Sequence, residues 1–314
     1  MFSNKLDILF VISDEPSMSS HQAKLVASFS TFMSLFIEKG FDFRVAVVTT
    51  SAYMADPTLN GYNPQDESLA DFNDSNGSLS SGNHVLTPDD PNIFEDFAIN
   101  AKPAKNTSGQ DGRAFSSFRQ GLQSTRPIND GFLRPDAYLA VVIVDNEDDF
   151  SGNERCVGCN VSGRYNASTL DPVSVYRDFL DNLTQSSGAT ARYSVSAMTQ
   201  ISTPCQGPRT MARIMGLVEQ TQGILGELCQ DNFGPSMAEI GANIAMLSSQ
   251  FFLERKPLIE SITVMVNGAL VPNDAQNGWT YSEAANSILF HGAATPSEGD
   301  RVIVDFDPES MFFD

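Results

Sequence analysis

The run Ile8-Leu9-Phe10-Val11-Ile12 is apolar at every position, so neither of its faces can meet water, and it predicts a strand buried on both sides. Between Gln22 and Lys39 the apolar residues Leu25, Val26, Phe29, Phe32, Met33, Leu35 and Phe36 fall on one face of a helix, and Gly40 marks its stop. A strand over Phe43 to Val48 follows. Further on, Tyr138 to Val144 is so uniformly apolar that it predicts a central strand. Helices near Gly112 to Ser124, Pro172 to Leu183, Arg209 to Gln220 and Ser236 to Phe252, with a strand at Arg192 to Ala197, continue the alternation.

Alternating strands and helices joined by right-handed crossovers give an α/β fold with a doubly wound, mostly parallel sheet. In such sheets ligands bind beyond the carboxyl ends of the strands. The stretch Ser51 to Asn92 is too long and polar for an ordinary connector and is expected to be a surface excursion. Within it, Asp71 to Gly77 is a turn-rich loop whose glycine and missing closing glutamate do not suit a calcium loop. After Pro257 the texture changes to short alternating segments at Ser261 to Val266, Ala269 to Val271, Trp279 to Tyr281, Ile288 to His291 and Arg301 to Phe306. Asn267-Gly268 and Asn277-Gly278 between them are hairpin signals. The expected organisation is a main domain over 1–256 and a small antiparallel β unit over 257–314 that leans on it.

Charge narrows the partners. Nineteen basic against thirty-nine acidic residues give a net charge of -20, which repels nucleic acid and anionic lipid and favours a cation or a basic protein surface. No stretch approaches the roughly 20 apolar residues of a membrane-spanning helix. Asp7 interrupts what would be the apolar core of a signal peptide, so the chain is expected either to be cytosolic or to lack its leader. The four cysteines fall as Cys156/Cys159 and Cys205/Cys229, an even count that suits two disulfides in an oxidising compartment. Cys156-Val157-Gly158-Cys159 sits among glycines rather than at the start of a helix. It has no second such motif and no histidine at ligand spacing, so a structural staple is favoured over a redox or zinc site. No nucleophile motif surrounds His21, His84 or His291, and Glu147-Asp148-Asp149 reads as a solvated strand-to-loop turn rather than an acid/base pair.

The first strand running into Ser13-Asp14-Glu15-Pro16-Ser17-Met18-Ser19, together with the central strand running into Asp145-Asn146-Glu147-Asp148-Asp149, resembles the von Willebrand factor A domain family, its bacterial extracytoplasmic members in particular. The resemblance spans Leu6 to Leu253. Ile262 to Gly268 and Gly278 to Tyr281 look like a β unit appended in such proteins. It implies a metal-ion-dependent adhesion site in which an aspartate, two serines, a threonine and a closing aspartate hold Mg2+ or Ca2+. Here those places fall on Ser13, Glu15, Ser17, Thr107 and Asn146, so both aspartates are replaced by neutral residues and only Ser17 and Thr107 match. Glu15 restores one charge, and Asp14 and Asp145, one residue away, are alternative ligands. A hard cation needs carboxylate charge, which leaves two readings open: a weakened metal site, or a metal-free pseudo-site whose polar groups satisfy one another.

The resemblance also implies that Cys205 and Cys229 are joined. It further implies an extracytoplasmic adhesion or recognition protein, lipid-anchored or secreted and not an enzyme, located in the periplasm, at the outer membrane surface or outside the cell. Its protein or cell-surface ligand would meet Ser13, Asp14, Glu15, Ser17, Ser19, Thr107, Ser108, Asp145, Asn146 and Glu147. The alternatives are an assembly subunit of a cell-envelope complex with an inert site and, ranked last, a metal-dependent hydrolase using Glu15 and Asp145.

Overall fold

The computed structural model describes residues 4–59, 62–72, 82–102, 112–152, 169–186, 191–201, 211–297 and 299–309. Five parallel strands, β1 (Lys5–Ile12), β2 (Asp42–Thr49), β3 (Tyr138–Val144), β4 (Tyr193–Thr199) and β5 (Leu225–Glu227), form one sheet in the order β2-β1-β3-β4-β5. The continuous apolar runs are explained by layers on both faces. On one side Phe10, Ile12, Val142 and Val144 pack against α1 (Ser19–Glu38), α2 (Ile93–Asn100) and α6 (Gly234–Ser248). On the other, Leu9, Val11, Val141 and Ile143 meet α3 (Ala114–Gln123), α4 (Val173–Thr184) and α5 (Ala212–Gln220). The doubly wound α/β expectation holds.

Some local expectations are corrected. The helix predicted over Ser236 to Phe252 ends at Ser248, and Phe251–Phe252 form β6, which pairs with a strand of the C-terminal unit. Helix α2 was not foreseen. The excursion after β2 is only partly a surface loop, because 3-10 helices at Ala52–Ala55 and Pro64–Ala70 bury Tyr53, Met54 and Leu69 in a small cluster of their own. Its Leu86 makes an antiparallel bridge to Val45 at the outer edge of β2. Asp71, at the head of the rejected calcium-like stretch, is buried against Arg126; residues 73–77 lie outside the described residues.

The C-terminal unit consists of two small antiparallel sheets, β6-β10-β9 and β11-β7-β8, made from β7 (Thr263–Val266), β8 (Ala269–Val271), β9 (Trp279–Ser282), β10 (Ser287–Phe290) and β11 (Val302–Asp305). Ile262, Val264, Trp279, Ile288 and Phe290 fill the space between them. Asn267 and Gly268 both have positive φ, 52° and 82°, and turn β7 into β8 as predicted. Asn277-Gly278 is not a hairpin. It joins strands of different sheets, and a methyl group on Gly278 would lie 2.2 Å from the Pro272 carbonyl oxygen, so glycine is needed there for close approach. The unit docks at the amino ends of the main strands, where Lys39 Nζ donates to the Ala293 carbonyl at 2.7 Å and Gln250 Nε2 to Ser287 Oγ at 2.6 Å.

At that same end, Asp7 is fully buried on β1 and accepts from the Arg134 backbone N–H at 2.7 Å and its Nε at 2.9 Å. Arg134 also donates to the Leu6 and Asp42 carbonyls, stitching β1 to β2. Burial is the largest influence on Asp7 and raises its pKa from 3.8 to about 6, against the pull of Arg134. The folded state therefore holds this proton more tightly than the unfolded chain, and the stabilisation is complete below 3.8 and lost as the pH rises through about 6. Arg134→Met leaves a buried carboxylate uncompensated and is expected to cost about 3–5 kcal/mol in urea denaturation near neutral pH. The deficit should shrink at about pH 5, where Asp7 can take a proton. An equal deficit at both pH values would show that the ion pair is not what the substitution removed.

Candidate functional site

The chain runs from β1 outward to β2 and then returns across β1 to β3, so the carboxyl ends of β1 and β3 form the switch point where doubly wound sheets open a crevice. Register fixes who meets whom. Ile12 lies beside Val144, and the ladder continues with the Ser13 N–H donating to the Val144 carbonyl at 3.0 Å. Ser13 and Asp145 are therefore neighbours, both buried.

Burial dominates Asp145 and pushes its pKa well above the usual aspartate value, assisted by the charges of Glu147 and Glu15. The Glu147 backbone N–H, donating to Asp145 Oδ1 at 3.0 Å, and the Ser13 hydroxyl pull the other way. Gly112 closes this spot, since a methyl group there would stand 3.0 Å from Asp145 Oδ2. One step along, Asn146 Nδ2 donates to Ser17 Oγ at 3.2 Å. Gln22 Nε2 and Gln200 Nε2 hold the two loops by donating to the Ser13 and Asn146 carbonyls at 2.9 and 3.2 Å. Sequence reasoning missed both glutamines, because nothing near them in the chain signals a loop clamp.

The structure thus brings Ser13, Glu15, Ser17, Asp145, Asn146 and Glu147 together and turns other candidates away. Asp14 points toward the end of β2, accepting from Ser51 Oγ at 3.0 Å and Thr50 Oγ1 at 3.4 Å; burial raises its pKa to about 6. The exposed Ser19 hydroxyl donates back to the Pro16 carbonyl at 3.1 Å. Thr107 and Ser108 lie outside the described residues, as do Cys156, Cys159 and Cys205. Cys229 is disulfide-bonded.

A divalent cation does not fit the described part of this donor set. Among the described residues no three His, Cys, Asp or Glu side chains gather closely enough to hold a metal. Ser13 and Asn146 are neutral, and the Asn146 amide turns an N–H donor toward Ser17. A hard cation requires ionised oxygen ligands instead.

The expectation of a solvated turn at Glu147-Asp148-Asp149 is overturned, since Asp148 and Asp149 are each only 1% exposed. The N-terminal turn of a helix has N–H groups without intrahelical partners, and a carboxylate answers both the missing acceptor and the helix dipole. Asp149 Oδ1 accepts from the Phe115 N–H of α3 at 2.9 Å, and its Oδ2 accepts from Arg213 Nη2 at 3.1 Å. Asp148 accepts from the N–H groups of Arg213 and Ile214 at 3.1 and 3.0 Å, at the start of α5. Burial raises the Asp148 pKa to about 6. These two acids build the site's frame. Asp149→Ala is expected to destabilise the protein by about 3–5 kcal/mol in chemical denaturation by stranding Arg213. Ser17→Ala, which removes one acceptor from the Asn146 amide at an exposed position, should cost less, about 0.5–1.5 kcal/mol. A neutral Asp149→Ala would contradict the framing role.

The chain matches no family model and no curated protein. Among solved structures it is similar to the pilus adhesin SpaC from Lactobacillus rhamnosus GG in its open conformation, with 10% identity and a TM-score of 0.45 over 97% of this chain and 38% of that one. It is also similar to proximal thread matrix protein 1 from the mussel byssus, with 10% identity and a TM-score of 0.42 over 82% of this chain and 50% of that one. Another structure of that byssus protein, described with a zinc-occupied MIDAS motif, matches with 10% identity and a TM-score of 0.41 over 82% of this chain and 51% of that one. This chain spans less than two thirds of each.

Proposed function

We propose that this protein is an extracytoplasmic adhesion or recognition protein of von Willebrand factor A type. It grips a protein or cell-surface ligand with the loops Ser13 to Ser19 and Asp145 to Glu147, without metal and without catalysis. The observation that carries this reading is the Asn146–Ser17 hydrogen bond at the switch point, where the amide at the mouth of the crevice presents an N–H donor to the serine hydroxyl. Glu15 and Glu147, both half-buried, and the exposed Ser17 stay within reach of a partner. The net charge of -20 suits a basic partner surface, and a disulfide at Cys229 suits a periplasmic, outer-surface or secreted location.

Thermal melts with and without Mg2+, Mn2+, Ca2+ or Zn2+ at about millimolar concentration test the metal-free part. The midpoint should not move, because only a ligand that binds the folded state shifts it. A rise of several degrees that disappears in Ser17→Ala would restore the metal site.

A second reading, an assembly subunit of an envelope complex, is favoured by apolar side chains left in water on the C-terminal unit: Leu258 is 47%, Ile259 50% and Leu270 73% exposed. Capture of cell-envelope material by the immobilised protein separates the two. Replacing Ser13 to Ser19 with a glycine–serine loop should abolish capture under the recognition reading. Leu258→Ser with Leu270→Ser should abolish it under the assembly reading.

A further inference from the structure

In the C-terminal unit, residues 256–261 fold back along the chain that follows β11. Pro257 bridges Pro308 in antiparallel register, the Leu258 N–H donates to the Asp307 carbonyl at 2.7 Å, and the Glu309 N–H donates to the Lys256 carbonyl at 2.9 Å. A single 3-10 turn, Ile259–Ser261, follows. The Ser261 hydroxyl donates to the Leu258 carbonyl at 2.7 Å and accepts from the Asp307 N–H at 2.8 Å. Bonds on both sides of Leu258 and Ile259 therefore hold the segment in one shape, with no freedom to turn these side chains inward.

Leu258 and Ile259 stand 47% and 50% exposed beside a groove of about 530 Å³, which Pro257 and Tyr281 also line. That volume has room for several side chains of a ligand. Apolar surface left in water marks a contact site, and a groove fixed in advance spares a ligand the cost of ordering it.

The rim decides the ligand's charge. Glu260, Glu283 and Glu309 stand around the groove with one base, Lys256, and all four are exposed. None of these four side chains forms a hydrogen bond or an ion pair among the described residues. Three acids face one base, so Lys256 can neutralise one carboxylate and two negative charges remain. Tyr281 feels two of the acids: its pKa is raised by loss of solvent first and by the charges of Glu283 and Glu309 next.

These features select among occupants. Anionic lipid and nucleic acid would meet carboxylates, and a second copy of the chain would bring its own net charge of -20 to the contact. A small cation would leave Leu258 and Ile259 in water. A protein segment that alternates apolar and basic side chains satisfies both the floor and the rim.

We propose that this groove docks an extended segment of a partner protein, in which apolar side chains cover Leu258 and Ile259 and neighbouring lysine or arginine side chains meet Glu260, Glu283 and Glu309. The proposal rests on the assembly reading for the partner being a protein, and it adds the partner's chemistry.

The test titrates the whole protein with three blocked peptides and follows NMR shifts of its methyl signals. They are acetyl-Val-Lys-Val-Arg-Val-amide, its acidic counterpart acetyl-Val-Glu-Val-Asp-Val-amide, and acetyl-Ser-Lys-Ser-Arg-Ser-amide, which keeps the charges without the apolar side chains. The first is expected to bind saturably and to shift the Leu258 and Ile259 methyls, and the other two to bind at least about tenfold more weakly. Glu260→Gln with Glu283→Gln and Glu309→Gln should weaken the first peptide roughly 10- to 100-fold, since an exposed ion pair contributes up to about fivefold. Raising sodium chloride from about 0.05 to 0.5 M should weaken it on the unaltered protein too, an arm that does not depend on a variant folding. Equal binding of all three peptides, shifts confined to residues outside the groove, or an affinity unchanged by salt and by the triple substitution would each overturn the proposal. So would binding seen only after deletion of residues 310–314, which gives the groove to that segment, or a dimer that dissociates in Leu258→Ser with Ile259→Ser, which gives it to a second copy. Loss of envelope capture in Leu258→Ser with Leu270→Ser but no peptide binding overturns the proposal alone; retained capture overturns the assembly reading and the proposal with it.

Discussion

A parallel sheet covered on both faces leaves the amino-terminal turns of its helices short of acceptors at the very edge where ligands bind, and here two adjacent carboxylates meet that need. Asp149 reaches α3 and the Arg213 side chain, while Asp148 reaches the start of α5. With the loop after β3 held in this way, Asp145 and Asn146 are delivered beside Ser13 and Ser17. That anchorage works together with the backbone bonds that carry the strand ladder into both loops, from the Ser13 N–H to the Val144 carbonyl and from the Asp145 N–H to the Met198 carbonyl.

The sheet was readable from sequence because burial on two faces leaves one pattern, an unbroken apolar run, and Ile8 to Ile12 and Tyr138 to Val144 both have it. The Asn267-Gly268 turn was readable because its positive φ angles demand those residue types. The failures have physical causes too. Phe251 and Phe252 continue the apolar rhythm of α6, yet the chain after Ser248 leaves the helix to pair with β10. Asn277-Gly278 has hairpin composition, but its glycine serves a close passage of backbone past Pro272.

The candidate site was readable in location and less so in chemistry. Fold class alone places the loops after β1 and β3 at the crevice. The partnership of Asp148 and Asp149 with helices distant in the chain is invisible to local pattern, since a cap residue and a metal ligand have the same composition. The choice between Asp145 and Asn146 also needed register. Asp145 faces Ser13, whereas Asn146 reaches Ser17, so the carboxylate and the amide take different partners. Buried acids recur along this edge, and at Asp14, Asp145 and Asp148 loss of solvent outweighs every nearby donor.

The C-terminal unit docks at the end of the strands opposite the crevice, through Lys39 and Gln250. A pull between a ligand held at the crevice and a tether on that unit would run along the strands rather than across them. Parallel strands loaded lengthwise must slide past one another, so the hydrogen bonds joining β1 to β2 and β3 would resist together instead of opening one at a time. In mechanical terms the domain is a lap joint, stiff along the line from the crevice to the C-terminal unit.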